Sequence, residues 1–175
     1  MFLRAGSLRP SPFRLIMKRK SFAIAAVLVI LAGLAITFAL RFNLSALPDP
    51  GLLETAMAIR AKSFLIARAS RSGIPPEPPD SAESRVEGEK RFGTECSMCH
   101  GLNGRTLTDS GRWMYPRAAD LGSDQVQMYK DRELFWIIKN GIRLSGMPAF
   151  GKVETDEHIW ELVHYSRSFR SPVRR

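Results

Sequence analysis

The sequence predicts an all-α protein in which one apolar helix precedes a small helical domain. A run of twenty uncharged, mostly apolar residues from Ser21 to Leu40 is long enough to cross a membrane as a helix. After this run, apolar residues recur at helical spacing, and no segment alternates in the β-branched pattern of a strand. We divide the chain into five segments, with boundaries at 1–20, 21–40, 41–83, 84–170 and 171–175.

The basic charge of the protein is concentrated in its first half. The formal net charge is +9, and residues 1–83 carry 11 basic and 5 acidic side chains, whereas residues 84–170 carry 13 and 12. A domain that binds nucleic acid needs a basic folded surface to contact phosphates. Because the second half is nearly neutral, we expect no nucleic-acid partner.

The apolar run, residues 21–40, is predicted to be a single-pass membrane anchor. Six basic and no acidic residues precede it, and only Arg41 lies between it and the first acid, Asp49. The positive-inside rule then places residues 1–20 in the bacterial cytoplasm and the rest on the periplasmic, outer side of the cytoplasmic membrane. A cleaved signal peptide is the alternative, but its apolar region is usually shorter and ends in small residues. Leu44-Ser45-Ala46 is a poor cleavage site, so we favour an uncleaved anchor.

Residues 41–83 predict an amphipathic helix and a proline-rich linker. Asp49 and Pro50 favour a helix start, Gly73 favours its end, and the helix between them has apolar and basic positions. We expect this helix to pack on its own domain, with docking against the membrane or a partner as the alternative. Four prolines within residues 74–80 predict an extended linker without a packed core.

Three helices are predicted in residues 84–170. The first runs from Val86 to Cys96, the second begins at an Asp131 N-cap and ends at Asn140-Gly141, and the third begins at a Thr155 N-cap. The residues predicted to face the core are Leu134, Phe135, Ile137 and Ile138 in the second helix and Ile159, Trp160 and Val163 in the third.

Both cysteines of the chain lie in the segment Cys96-Ser97-Met98-Cys99-His100. Two thiols three residues apart on a helix lie on the same side and could both bond to one edge of a flat ligand. The imidazole of the next residue, His100, could then reach over the face of that ligand. This spacing is typical of covalent haem attachment. A structural zinc site usually takes four ligands, and the chain has no second paired cluster with finger-like spacing. A thioredoxin-like pair needs a βαβ setting, and a disulfide here would close a very small ring. We therefore predict one haem c, attached through Cys96 and Cys99, with His100 as an iron ligand.

A second axial ligand is expected on the other side of the iron. The candidates are Met98, Met114, Met128, Met147, His158 and His164. Met147 is favoured because Gly146 allows a close backbone approach and Pro148 stiffens the loop, whereas Met98 is confined to the attachment segment. We expect Met114 and Met128 to fill the core, and His158 and His164 to lie at the surface or behind the ligands.

Residues 84–170 resemble a class I bacterial cytochrome c with a single haem. The motifs are Gly88 and Phe92 before the segment Cys96 to Gly101, Tyr115-Pro116, the run Asn140 to Phe150, and Ile159-Trp160 with Tyr165 and Arg167. The resemblance implies a small helical domain around the haem, in which Gly88 and Phe92 meet Trp160 and Tyr165. It also implies that a proline carbonyl, for which Pro116 is the candidate, accepts a hydrogen bond from His100. The side chains expected to wall the haem are Trp113, Tyr115, Leu121, Ile142, Leu144 and Phe150.

Histidine and methionine together predict a one-electron carrier that is not itself an enzyme. Both axial positions are filled, so no substrate can bind the iron, and a soft thioether favours the ferrous state. The expected redox partners are a quinol-oxidising complex, a dehydrogenase or a terminal oxidase. The alternatives are a permanent cytochrome subunit of a respiratory oxidase or dehydrogenase, or a gas sensor or peroxidase-like protein in which Met147 leaves the iron.

Overall fold

The computed structural model describes residues 12–41 and 45–170, with side chains described from residue 20 onward. Every regular element in these ranges is helical, which confirms the predicted all-α class. The predictions for residues 1–11, 42–44 and the tail 171–175 lie outside the described residues. The chain divides after Ser45 into two compact units, each of which is described separately below.

The first unit contains one long helix, α1 (Pro12–Arg41). Its segment Lys20–Arg41 has a mean hydropathy of 2.8, and all of its side chains are exposed. A helix with this length and composition could cross a membrane, and an N-terminal signal sequence has the same properties. The helix contains the predicted span 21–40, while the choice between anchor and cleaved signal stays a prediction.

The second unit contains seven further α-helices in its described part. They are α2 (Leu52–Ala69), α3 (Ala82–Arg91), α4 (Ser97–His100), α5 (Asp109–Trp113), α6 (Asp124–Gln127), α7 (Asp131–Asn140) and α8 (Asp156–Arg167). A π-helical turn at Phe92–Cys96 joins α3 to α4, and a 3₁₀ turn at Phe150–Lys152 precedes α8. The predicted first helix, 86–96, is therefore interrupted after Arg91.

Helices α3 and α8 cross in close contact at Gly88. A methyl group added to Gly88 would lie 2.9 Å from Cβ of Tyr165, so only glycine allows this approach. One turn further on, the ring of Phe92 lies 5.4 Å from that of Tyr165, as the resemblance implied. The ring of Trp160 instead contacts Phe135 of α7 at 4.5 Å.

The core lies between α7 and α8 and includes one residue of α2. Phe135, Ile159 and Val163 are fully buried, and Ile138 is partly buried. Thr155 caps α8 as predicted, because its side chain accepts a hydrogen bond from the backbone N–H of His158. The N-cap of α7 is Lys130, one residue before the predicted Asp131, and Glu133 accepts a hydrogen bond from its backbone N–H at 2.8 Å.

Helix α2 packs on its own domain, as expected, through Ile66, which is 3% exposed. Its N-cap is Gly51 rather than Asp49, and the Asp49 carboxylate instead accepts a hydrogen bond from Arg117 at 2.6 Å. Residues 74–80 are extended, but Ile74 packs against the core. The extended conformation is as predicted, while the contact of Ile74 ties the start of the segment to the domain.

His164 is buried, which corrects the expectation of a surface or ligand-supporting position. Its side chain is only 2% exposed, and its Nδ1 lies 2.6 Å from the hydroxyl of Ser84 on α3. Its Nε2 lies 3.3 Å from Glu77 in the proline-rich segment. His164 therefore ties α8 to α3 and to the chain that precedes it.

Candidate haem site

The π-helical turn and α4 together present Cys96, Cys99 and His100. A π turn accommodates one residue more than an α turn and so rotates the side chains that follow it. Helix α4 ends directly after His100 because Gly101 adopts a φ of 71°, which favours glycine. Both cysteines are free thiols, so they form no disulfide with each other.

Backbone contacts hold the attachment segment in place from α5. The Thr108 hydroxyl donates to the carbonyl of Met98 at 2.5 Å, and the backbone N–H of Thr108 donates to the carbonyl of Cys99 at 3.3 Å. A methyl group on Gly111 would lie 2.9 Å from the carbonyl carbon of Cys99. Helix α5, which sequence analysis missed, thus packs directly behind the second cysteine.

A cleft in the second unit brings the predicted ligands together. It encloses about 1220 Å³, including the solvent at its open mouth, and Cys96, Cys99, His100 and Met147 all line it. The apolar part of the lining includes Leu121, Val126, Leu134, Ile137, Ile142 and Phe150. Two thiols, an imidazole and a thioether that line one apolar cleft are the set of groups that a covalently attached haem requires.

His100 is held in the tautomer that a metal ligand requires. Its Nδ1 lies 2.8 Å from the carbonyl oxygen of Ala119, so Nδ1 carries the proton and Nε2 is left for a metal. Burial lowers the pKa of His100 and keeps the imidazole neutral at neutral pH. The predicted acceptor, Pro116, lines the cleft, but its carbonyl is not the partner. The backbone bond from Ala118 N–H to the Gly111 carbonyl folds the chain so that Ala119 faces His100.

The thiol of Cys96 is not poised to act as a thiolate. Burial raises the pKa of Cys96 to about 12, with smaller contributions from nearby acidic groups that include Glu95. A thiolate-ligated metal or a redox-active thiol needs a lowered pKa instead. The environment of Cys96 therefore disfavours the thioredoxin-like alternative, which needs a thiolate near neutral pH.

The loop that carries Met147 folds back onto the end of α7. The backbone N–H of Ile142 donates to the carbonyl of Met147 at 3.3 Å, and Met147 N–H donates to the Ser145 hydroxyl at 3.3 Å. Gly141 has a φ of 65°, and an added methyl group there would lie 2.7 Å from the Met147 carbonyl oxygen. The turn at Gly141 therefore directs Met147 into the cleft.

Not all of the other candidate ligands lie where the sequence analysis placed them. Met98 and Met128 are 67% and 78% exposed, so Met128 does not fill the core. Met114 lines the cleft, next to Gly146. His158 bonds to Glu154 at 2.7 Å instead of facing the cleft.

Three of the six expected wall residues line the cleft: Leu121, Ile142 and Phe150. Trp113, the last residue of α5, and Leu144, in the loop after α7, are 76% and 90% exposed and do not line the cleft. Tyr115 is also absent from the lining, since its hydroxyl reaches away to donate to Glu54 of α2 at 2.6 Å.

Sequence analysis missed several polar residues that line the cleft, namely Lys62, Glu95, Arg117 and Tyr129. The sequence offered one hint of the role of Glu95 in the lining, which is that this residue directly precedes Cys96. The sequence did not indicate that Lys62 lines the cleft, because its position there depends on how α2 packs against the rest of the domain. These residues give the cleft polar groups from α2, from the π-helical turn and from the segments that follow α5 and α6.

Glu95 belongs to a cluster of acidic side chains beside the cleft. Burial, and then the neighbouring Glu154, raise the pKa of Glu95 to about 7. Its Oε2 is buried and has no hydrogen-bond partner within the described ranges. Arg91 bridges Glu154 at 3.2 Å and Glu161 at 2.9 Å, so this cation is shared between two other carboxylates. Glu95 therefore holds its proton more tightly than an exposed carboxyl group does.

The family comparison identifies the same part of the chain. Residues 84–165 match the family model described as cytochrome c oxidase, cbb3-type, subunit III. The matched range contains both cysteines, His100 and Met147, which converge in the cleft. Residues 84–165 form a c-type cytochrome domain. Its all-helical architecture is consistent with the predicted class I cytochrome c fold.

Solved structures and curated proteins add two findings about the cytochrome chain. A chain of the reducing HAO-like protein complex of Kuenenia stuttgartiensis is similar at 20% identity and a TM-score of 0.49. The similarity covers 57% of this chain and 50% of that one, so it spans about half the length of that protein. No curated protein matches the chain.

Proposed function

We propose that the protein is a membrane-anchored, one-electron carrier with a single haem c. In this proposal Cys96 and Cys99 attach the haem, and His100 and Met147 ligate its iron. The observation that carries the proposal is the convergence of these four residues in one apolar cleft of the cytochrome domain. When bound, the haem would supply an iron that gains and loses one electron.

The residues around the cleft support electron transfer rather than catalysis. His100 and Met147 would occupy both axial positions, which leaves no position for a substrate on the iron. The apolar lining lowers the local dielectric and limits reorganisation of water around the cofactor. The hydrogen bond from His100 to Ala119 fixes the imidazole orientation. We therefore infer that the protein is not an enzyme by itself.

The proposed location is the outer face of the bacterial cytoplasmic membrane. The apolar helix within α1 supports an anchor, and the basic residues before it support a cytoplasmic N-terminus. The proposed redox partners are a quinol-oxidising complex, a dehydrogenase or a terminal oxidase. Replacing residues 1–45 by a cleavable export signal should release a soluble haem protein, and firm membrane retention would contradict the anchor.

A permanent subunit of a respiratory oxidase or dehydrogenase is the second candidate. The description of the matched family favours it, and so does the exposed apolar side of α2. Leu53, Met57 and Phe64 are 74%, 63% and 64% exposed and lie opposite the buried Ile66. Extraction in a mild detergent separates the candidates. A carrier should elute alone, whereas a subunit should elute with its complex and be released by Phe64→Ser.

Carbon monoxide binding tests the proposed Met147 ligation. The reduced wild-type protein should bind carbon monoxide poorly, and Met147→Ala should bind it readily because the sixth position is open. Met98→Ala is the matched control, since Met98 is exposed and does not line the cleft. Equal binding by wild type and Met147→Ala would contradict the ligation. Ready binding by the wild type would support the gas-sensor or peroxidase-like alternative.

A further inference from the structure

Helix α2 lies outside the matched cytochrome residues but contributes Lys62 to the lining of the haem cleft. Contacts along the helix and at its two ends fix it to the domain. They are Arg117 with Asp49, Tyr115 with Glu54, Ser63 with Tyr129, Ile66 with the core, and Arg132 with the Ser70 carbonyl. The position of Lys62 is therefore set by the fold and not by a loose N-terminal extension.

Lys62 is a partly buried cation with no counter-ion among the residues that the structure describes. Burial in the cleft lowers the pKa of Lys62, and no carboxylate of the described ranges forms an ion pair with it. A charged ammonium group in such a place is unfavourable unless an anion accompanies it. The missing partner should therefore be an anion that enters the cleft.

The haem proposed for this cleft carries such anions. It has two propionate carboxylates on the edge opposite the two positions that form thioether bonds. Apart from the cysteines, the titratable groups of the lining are Lys62, Glu95, His100, Arg117 and Tyr129. Glu95 has the wrong sign and is adjacent to Cys96, on the attachment side, while Arg117 is already paired with Asp49.

We propose that Lys62 is the counter-ion of a haem propionate, so that α2 completes the haem site from outside the cytochrome domain. This inference rests on the proposed haem. Tyr129 supports it, because this residue also lines the cleft and its hydroxyl lies 3.1 Å from the hydroxyl of Ser63, the residue next to Lys62. Lys62 and Tyr129 thus both contribute polar side chains to the lining of the cleft, one cationic and one bearing a hydroxyl group.

The charge of Lys62 should then affect the reduction potential. A paired ammonium group keeps the propionate ionised and offsets its negative charge, which otherwise stabilises the ferric haem. Without Lys62 the potential should fall at high pH. It should fall less at low pH, because the unpaired propionate then takes up a proton.

The test is a spectroelectrochemical titration of the matured full chain between pH 5 and pH 9. Lys62→Gln should lower the midpoint potential at high pH and add a pH-dependent region, whereas Lys62→Arg should retain the wild-type profile. Arg60→Gln is the matched control, because it removes the same charge from an exposed position of α2. Equal profiles for Lys62→Gln and Arg60→Gln would overturn the inference.

A second measurement needs no variant and covers the case in which Lys62→Gln fails to fold. With a propionate partner, the ¹⁵Nζ signal of Lys62 in the haem-loaded wild type should titrate at or above the ordinary lysine pKa of 10.5. A pKa below that value would show an unpaired cation and overturn the inference. A wild-type protein that never acquires haem would instead refute the proposed function.

Discussion

The crossing of α3 and α8 makes a quantitative prediction for Gly88→Ala. The new methyl group would lie 2.7 Å from the Glu161 carbonyl carbon and 2.9 Å from Cβ of Tyr165, and it would be closer still to the Glu161 carbonyl oxygen. Ordinary van der Waals contacts of such a carbon begin at 3.4 Å. Most of the opposing atoms belong to the backbone of α8, so the helices must move apart by roughly 1 Å to restore normal contacts.

The expected net loss of stability is about 2 kcal/mol. Overpacking of a well-packed contact costs about 1–3 kcal/mol, and a clash with backbone belongs at the upper end of that range. Alanine recovers about 1 kcal/mol because it favours the helix over glycine. The difference predicts that Gly88→Ala lowers the free energy of unfolding by about 2 kcal/mol.

The matched control is Gly93→Ala in the neighbouring π-helical turn. An added methyl group there has nothing within 4 Å, so the free energy of unfolding should stay the same or rise slightly. Both variants can be compared with wild type by guanidinium denaturation of the matured protein, followed by circular dichroism at a helical wavelength. A Gly88→Ala protein as stable as Gly93→Ala would refute the packing described for the crossing.

The same assay tests three further predictions. Thr155→Ala should cost about 1 kcal/mol because α8 loses its N-cap, and an unchanged midpoint would argue against that cap. Ser84→Ala should cost about 1–3 kcal/mol because Nδ1 of the buried His164 loses its partner, whereas a neutral effect would mean that His164 rebonds. The pKa of Glu95 is about 7 in the folded protein and 4.5 ordinarily, so the folded state binds this proton more tightly. The free energy of unfolding of the wild type should therefore decrease as the pH rises from about 4.5 to about 7. Glu95→Gln should remove that fall, and the same decrease in both proteins would contradict the assignment.

Short-range patterns predicted much of the fold and the centre of the site. The Thr155 cap, the buried face of α8 and the turn at Gly141 each depend on residues within about one or two helical turns. The relative positions of the two cysteines and His100 are also determined locally, because the three residues lie within five positions of the sequence. Such features can be read from sequence because a few neighbouring residues determine them.

Long-range contacts account for most of what the sequence did not predict. The bond from His100 to Ala119 joins residues 19 positions apart, and the burial of His164 depends on Ser84 and Glu77, 80 and 87 positions away. The docking of α2, which brings Lys62 into the cleft, has no local signal either.

The absorption spectra of oxidised and reduced full-length protein, matured in a strain that attaches haem c, test the central claim most directly. We expect a c-type spectrum with a methionine-to-iron band in the oxidised protein. That band should disappear in Met147→Ala and persist in Met98→Ala. A folded, exported protein without colour would contradict the account, and so would a methionine-to-iron band that survives Met147→Ala.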